Sequence, residues 1–187
     1  MQRDALKWDI RHRENPIPTR PLELLKTHIA KARVGKALDI ACGMGRNSKF
    51  MRDCGFCVDS VDVSSYAISS LQGEKGINAQ CVDLDTFKIP PCSYDLICKS
   101  YFLERRLFPY MIEGLKKDGI LVFETFVQSN VELHNAFARD SAHLLRKNEL
   151  LRAFLDLEVL FYEEALIVRS KDSGLALVAR LVAQKSD

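Results

Sequence analysis

A mostly parallel α/β sheet layered between helices is the fold class this sequence predicts, and three observations predict it. Short apolar runs suited to buried strands alternate with helix-patterned stretches through residues 36–126; the first run opens directly into two glycines and a helix; two further strand-like runs close the chain. The expected architecture is a three-layer α/β sandwich, with a seven-stranded mostly parallel sheet, the last strand antiparallel, and helices on both faces. At 187 residues and 47% hydrophobic content one core is enough. The chain reads as a single domain, residues 1–35 forming an N-terminal segment with a preliminary helix and residues 36–187 the core.

Residues 1–14 are polar with one tryptophan, Trp8. Asn15-Pro16-Ile17-Pro18-Thr19-Arg20-Pro21 breaks the chain where a helix can begin, since proline suits a first helical turn. Leu22, Leu25, Ile29 and Ala32 form that helix's apolar stripe. The first strand runs into Ala37-Leu38-Asp39-Ile40-Ala41-Cys42-Gly43-Met44-Gly45-Arg46-Asn47. Glycines in such a turn reach backbone angles closed to other residues and admit a ligand to the main chain, so the loop reads as a cofactor cradle. A helix follows over Arg46–Cys54, stopped by Gly55, then strand two over Phe56–Val63, and Ser64 caps a helix over Ser65–Gln72 that Gly73 ends. Asp62 stands about 20 residues beyond the glycines, the offset at which an acid meets a ribose diol. A helix-capping acid is the alternative role. Ile77–Leu84 gives strand three, Tyr94–Lys99 strand four, Leu103–Lys117 a helix with Leu107, Met111 and Leu115 on one face, and Gly119–Phe126 strand five. Val127–His143 is weakly patterned, a helix lies near Lys147–Leu155, and Leu157–Leu166 with Leu175–Ala183 form a hairpin about Lys171-Asp172-Ser173-Gly174.

Several chemistries are disfavoured. A dinucleotide fingerprint starting at Gly43 needs a third glycine where Ser48 stands, and no phosphate loop occurs. The net charge is +2, from 27 basic and 25 acidic residues, which leaves no electrostatic footprint for nucleic acid. Residues 1–9 lack the apolar run of a signal peptide, and no membrane-spanning run of about 18 apolar residues occurs, so a cytoplasmic protein without membrane contact is expected. Of the six cysteines most fall in or beside strand-like runs; Cys54-Gly55-Phe56-Cys57 joins a helix end to a strand start with no second pair at zinc-finger spacing. Free, packed thiols are expected. The four histidines fall in no metal spacing, and no metal is expected.

Asp39-Ile40-Ala41-Cys42-Gly43-Met44-Gly45 resembles motif I of the class I S-adenosylmethionine (SAM) methyltransferases, an acid followed by alternate glycines, with Ala41 in place of the first. With it, Val61-Asp62-Val63-Ser64, Leu121-Val122-Phe123-Glu124-Thr125-Phe126 and His143-Leu144-Leu145-Arg146-Lys147-Asn148-Glu149-Leu150-Leu151 resemble the small tellurite-resistance-type branch of that class over residues 36–166. The resemblance implies SAM as cofactor, S-adenosylhomocysteine (SAH) as product, and a small-molecule acceptor whose identity does not transfer. It implies that Asp39, Cys42, Gly43, Gly45, Arg46 and Asn47 hold the cofactor, with Asp62 and Val63 at the ribose and Asp83 and Leu84 at the adenine. Ser100 and Tyr101 then complete the pocket beyond strand four, and Trp8 and Arg13 reach over it. Arg105, Glu124 and His143 are placed on the acceptor side, beyond the carboxyl ends of the strands, with His143 the natural base for a hydroxyl or amine acceptor. Two readings stay open, a SAM-binding protein without turnover and a nucleic-acid methyltransferase. The second is weakened: Lys99-Ser100-Tyr101-Phe102 stands where an amino-type base methylase carries Asp/Asn-Pro-Pro-aromatic, and Pro91-Cys92 precedes strand four rather than following it.

Overall fold

The apolar runs become β1 (Lys36–Ile40), β2 (Cys57–Asp62), β3 (Ile77–Cys81), β4 (Tyr94–Ser100), β5 (Leu115–Phe126), β6 (Glu158–Val168) and β7 (Leu175–Gln184). They form one seven-stranded sheet of order β3-β2-β1-β4-β5-β7-β6. The computed structural model describes residues 2–14, 19–129, 141–168 and 175–186; the expected turn at 171–174 and the prolines at 16 and 18 lie outside them. The five strands from β1 to β5 are parallel, and β7 runs antiparallel to both β5 and β6. In β1 and β2 only the first residue is exposed, the mark of strands covered on both faces.

Among the described residues the α-helices are α1 (Gln2–Glu14), α2 (Glu23–His28), α3 (Arg46–Asp53), α4 (Ser65–Ser69), α5 (Leu107–Gly114) and α6 (Glu149–Ala153). On one face Leu107, Phe108 and Met111 of α5 and Leu150 of α6, with Phe154, meet Ile97, Leu121 and Phe123 of the sheet. On the other, Leu24 and Leu25 of α2 and Met51 of α3 meet Leu96, Cys98 and Val122. Two cores back to back on one sheet make the three layers that alternating strand and helix patterns require.

Several boundaries differ from the sequence expectation: α4 ends at Ser69 rather than Gln72, β5 begins at Leu115 rather than Gly119, and three others differ for physical reasons. The helix expected from Leu103 starts at Leu107, because Pro109 lacks an amide hydrogen and belongs in a first turn, where no intrahelical bond is lost. It stops at Gly114, where a Cβ would lie 2.5 Å from Ile89 Cγ2. Strand three ends at Cys81 rather than Leu84, since Asp83 O turns back to accept from Thr86 N and Phe87 N at 3.2 and 2.9 Å. Residues 2–14, only a polar segment in the sequence, form a helix lying against α4. Among the described residues no helix is long and apolar enough to cross a membrane.

Candidate active site

The chain steps from β1 outward through β2 to β3 on one side and returns from β3 to β4 on the other side of β1, and a crevice opens beyond the carboxyl ends of β1 and β4, where the direction of winding switches. It is a cavity of about 880 Å³. The loop after β1 forms its floor. Ala41, Gly43 and Gly45 take φ of 56°, 54° and 75°, so the chain alternates through left-handed conformations and turns its backbone toward the opening. Gly45 is fixed by packing as much as by φ, because a Cβ there would lie 2.5 Å from Leu71 Cδ2.

Asp62, at the end of β2, braces this loop: Oδ2 accepts from Gly43 N at 2.8 Å and Oδ1 from Ser64 N at 2.9 Å. Burial pushes its carboxyl above the usual range, while these two amides pull the other way. Each oxygen retains a further lone pair, so the acid can still accept from a ligand. Asp39 lies beneath the loop, 1% exposed, accepting from Ser48 Oγ at 2.6 Å, and burial pushes it up to about 7. Asn47 is likewise structural here: its Oδ1 accepts from Leu22 N at 2.9 Å and its Nδ2 donates to Ser100 Oγ at 3.1 Å, tying α2, α3 and β4 together. Asp83 Oδ1 accepts from Asp85 N at 3.0 Å, and its buried Oδ2 has no hydrogen-bond partner, an open acceptor next to Leu84. Burial holds the Cys42 thiol far above its usual pKa, so it is protonated and donates to Gly43 O at 3.5 Å.

The far end of the cavity is built from β4, β5 and β7. Tyr101, at φ 53°, donates its hydroxyl to Glu124 Oε1. Glu124 is 2% exposed, and its Oε2 accepts from Arg180 Nε at 2.9 Å; Arg180 also reaches Glu163 at 2.7 Å. Burial first and Glu124 second raise the Tyr101 phenol, opposed by Arg46 and Arg180, so the hydroxyl keeps its proton. Arg46 lies over the Tyr101 ring at 5.7 Å, and the ring of Phe126 stands 5.1 Å from it on another side.

Trp8, Arg13, Cys42, Gly43, Arg46, Asp62, Val63, Leu84, Ser100, Tyr101 and Glu124 of the expected residues line this cavity. Asp39, Gly45, Asn47 and Asp83 stand behind its wall in the roles just given. Arg105 and His143 do not line it. Arg105 is held by Glu149 at 2.5 Å and donates to Ala142 O and Leu144 O at 2.8 and 2.9 Å, which fastens the short turn Ser141–His143 to α6; His143 is exposed on that turn. Residues 130–140 of the weakly patterned stretch Val127–His143 lie outside the described residues. The sequence reading missed His12, Arg20, Lys49 and Arg180, all of which line the cavity. Only Arg180 had a signal, a lone charge inside the apolar run 175–183. All six cysteines are free, and among the described residues no cluster is arranged to hold a metal.

A family model described as tellurite resistance protein TehB matches residues 22–173. Among solved structures, TehB from Haemophilus influenzae superposes at TM-score 0.77 and 23% identity, over 96% of this chain and 67% of that one. An S-adenosylmethionine-dependent methyltransferase from Mesorhizobium loti superposes at 0.67 and 19% identity, over 86% and 96%. A SAM-dependent methyltransferase from Methanosarcina mazei does so at 0.68 and 17%, over 89% and 99%. At these identities the likeness to solved structures is one of fold. No curated protein matches the chain.

Proposed function

The chain belongs to the TehB tellurite-resistance family, as a SAM-dependent methyltransferase of class I fold, and from that premise we propose that its methyl acceptor is a small molecule held over Tyr101 and Glu124. One observation carries the reading: the cavity runs without a break from the glycine loop and Asp62 to the Tyr101-Glu124-Arg180 end. Bound SAM supplies a methyl group made electrophilic by its sulfonium, so the protein's task is to bind, orient and exclude water. Leu84 lines the cavity where it suits an adenine ring, and Asp62 suits a ribose hydroxyl. Tyr101, Phe102 and Phe126 line the cavity with aromatic rings, a residue type that suits a cationic sulfonium centre. Of the acceptor-side residues Glu124 stays at the cavity's end, while Arg105 fastens the turn that bears His143, and neither Arg105 nor His143 lines the cavity.

The charge of the walls narrows the acceptor. Arg11, Arg13, Arg20, Arg46, Lys49 and Arg180 line the cavity against Glu23, Asp62 and Glu124, an excess of positive charge that favours an anionic small molecule, in keeping with the family's name. Thermal melting tests the cofactor. SAM or SAH at a hundred times its Kd stabilises by about 2.7 kcal/mol, a rise of roughly 5 to 11 °C for a chain of this size, with no shift from NAD. SAH release is then followed with tellurium and selenium oxyanions, thiols, phenols and amines. Release with amines alone would overturn the anionic acceptor, and binding without release from any of them would leave a SAM-binding protein.

A further inference from the structure

His12 of α1 is 5% exposed, and its Nδ1 is buried without a hydrogen-bond partner. A buried imidazole nitrogen left unpaired loses its hydration and gains nothing, so its position calls for a partner. The fold places it over the ligand cavity. Asp9, one turn earlier on the same helix face, accepts from Ser64 Oγ at 2.6 Å and Tyr66 N at 3.1 Å, which pins α1 directly above the end of β2. His12 and Asp62 consequently line the same cavity, close enough for the charge of each to act on the other. The Trp8 ring, 5.8 Å away, packs beside the imidazole. Burial keeps His12 below the usual histidine range, with Asp62 and Asp9 opposing and Arg11 reinforcing, so near neutrality the ring is uncharged, with one nitrogen donating and one accepting.

We propose that His12 is a cofactor-binding residue whose Nδ1 hydrogen-bonds one ribose hydroxyl of the cofactor while Asp62 takes the other. The diol is then clamped between β2 and α1. A second wall completes the bonding because Asp62, held by Gly43 N and Ser64 N at 2.8 and 2.9 Å with one lone pair left on each oxygen, offers the diol only acceptors. Each ribose hydroxyl both donates and accepts, and a neutral imidazole nitrogen can take either role. The inference rests on the SAM reading of the site.

Calorimetric titration of the full chain with SAH, 2′-deoxy-SAH and 3′-deoxy-SAH tests it. His12→Leu is expected to bind SAH about tenfold more weakly, the worth of one hydrogen bond. It should bind one of the deoxy analogues as the unmodified protein does. His12→Asn, which keeps a polar atom near the Nδ1 position, should regain most of the loss. Should His12→Leu fail to fold, His12→Gln carries the same expectation of weakened SAH binding, because its amide lies beyond the Nδ1 position. SAH binding by His12→Leu as tight as that of the unmodified protein overturns the clamp, as does an Asn variant no better than Leu. An unmodified protein that binds no SAH overturns the cofactor reading itself, which is a separate result.

Discussion

Ala41 and Tyr101 both face the cavity, and both hold φ above 50° without being glycine. A left-handed L-residue costs roughly 1–2 kcal/mol, and such strain persists where the surroundings fix it, which is common at ligand sites. Ala41 also replaces the first glycine of the motif, so the sequence departs from the pattern where the backbone most wants the missing residue. Ala41→Gly relieves the strain and gives back about 0.4–1 kcal/mol as added freedom of the unfolded chain. The expected outcome is a protein as stable as before, or more stable by up to about 1 kcal/mol, read from the urea midpoint. A clear loss of stability would show instead that the Ala41 methyl contributes to packing against the core it borders.

At the scale of elements, α1 is the part least secured by apolar contact. Among its described side chains none belongs to a core cluster, and Leu6 and Ile10 are 62% and 52% exposed. Its attachment is polar: Asp9 accepts from Ser64 Oγ, Ser65 Oγ and Tyr66 N, at the cap of α4. Elements with few buried apolar contacts open locally at low free energy. Asp9→Ala should therefore release α1 alone. Amide exchange over residues 5–14 is expected to lose its protection while the strands keep theirs, and SAH affinity should fall because Trp8, His12 and Arg13 leave the cavity wall. Unchanged protection of α1 in that variant would mean that something other than Asp9 holds the helix.

At the scale of the whole molecule, a basic group lies deep in the core. Lys99 of β4 is fully buried, its Nζ without a hydrogen-bond partner and 4.9 Å from the rings of Phe102 and Phe123, with Phe108 at 5.8 Å. Burial lowers it to about 7, with Glu104 opposing, against an ordinary 10.5. Between these two values the unfolded chain holds a proton that the folded one has released. Stability therefore rises with pH across this window, by up to about 1.4 kcal/mol per unit. Urea midpoints at pH 7.5 and 9.5 should show the native protein gaining relative to Lys99→Met; parallel behaviour of the two would mean that Lys99 stays charged within its ring of aromatics.

Local spacing was enough to define β1, the glycine loop, α3 and Asp62, because a strand, a turn and a helix in succession are set by residues within a few positions of one another. Buried parallel strands are apolar throughout, so their order along the chain was also legible. The start of α5 was open to reading from Pro109, whose ring cannot sit inside a helix, but the apolar stripe outweighed it. Partnerships across the fold had no such local signal. Glu124 meets Arg180 because β7 enters the sheet antiparallel in one particular register, and Arg105 turns to Glu149 because α6 packs beneath it. The docking of α1 likewise depends on hydrogen bonds between residues more than fifty positions apart, such as Asp9 with Ser64. Sequence by itself determined the sheet and the glycine-loop end of the cavity, where backbone shape is set by neighbouring residues; tertiary structure decided the wall that α1 adds and the Tyr101-Glu124-Arg180 end, because charged side chains there pair with whatever the assembled sheet brings within reach.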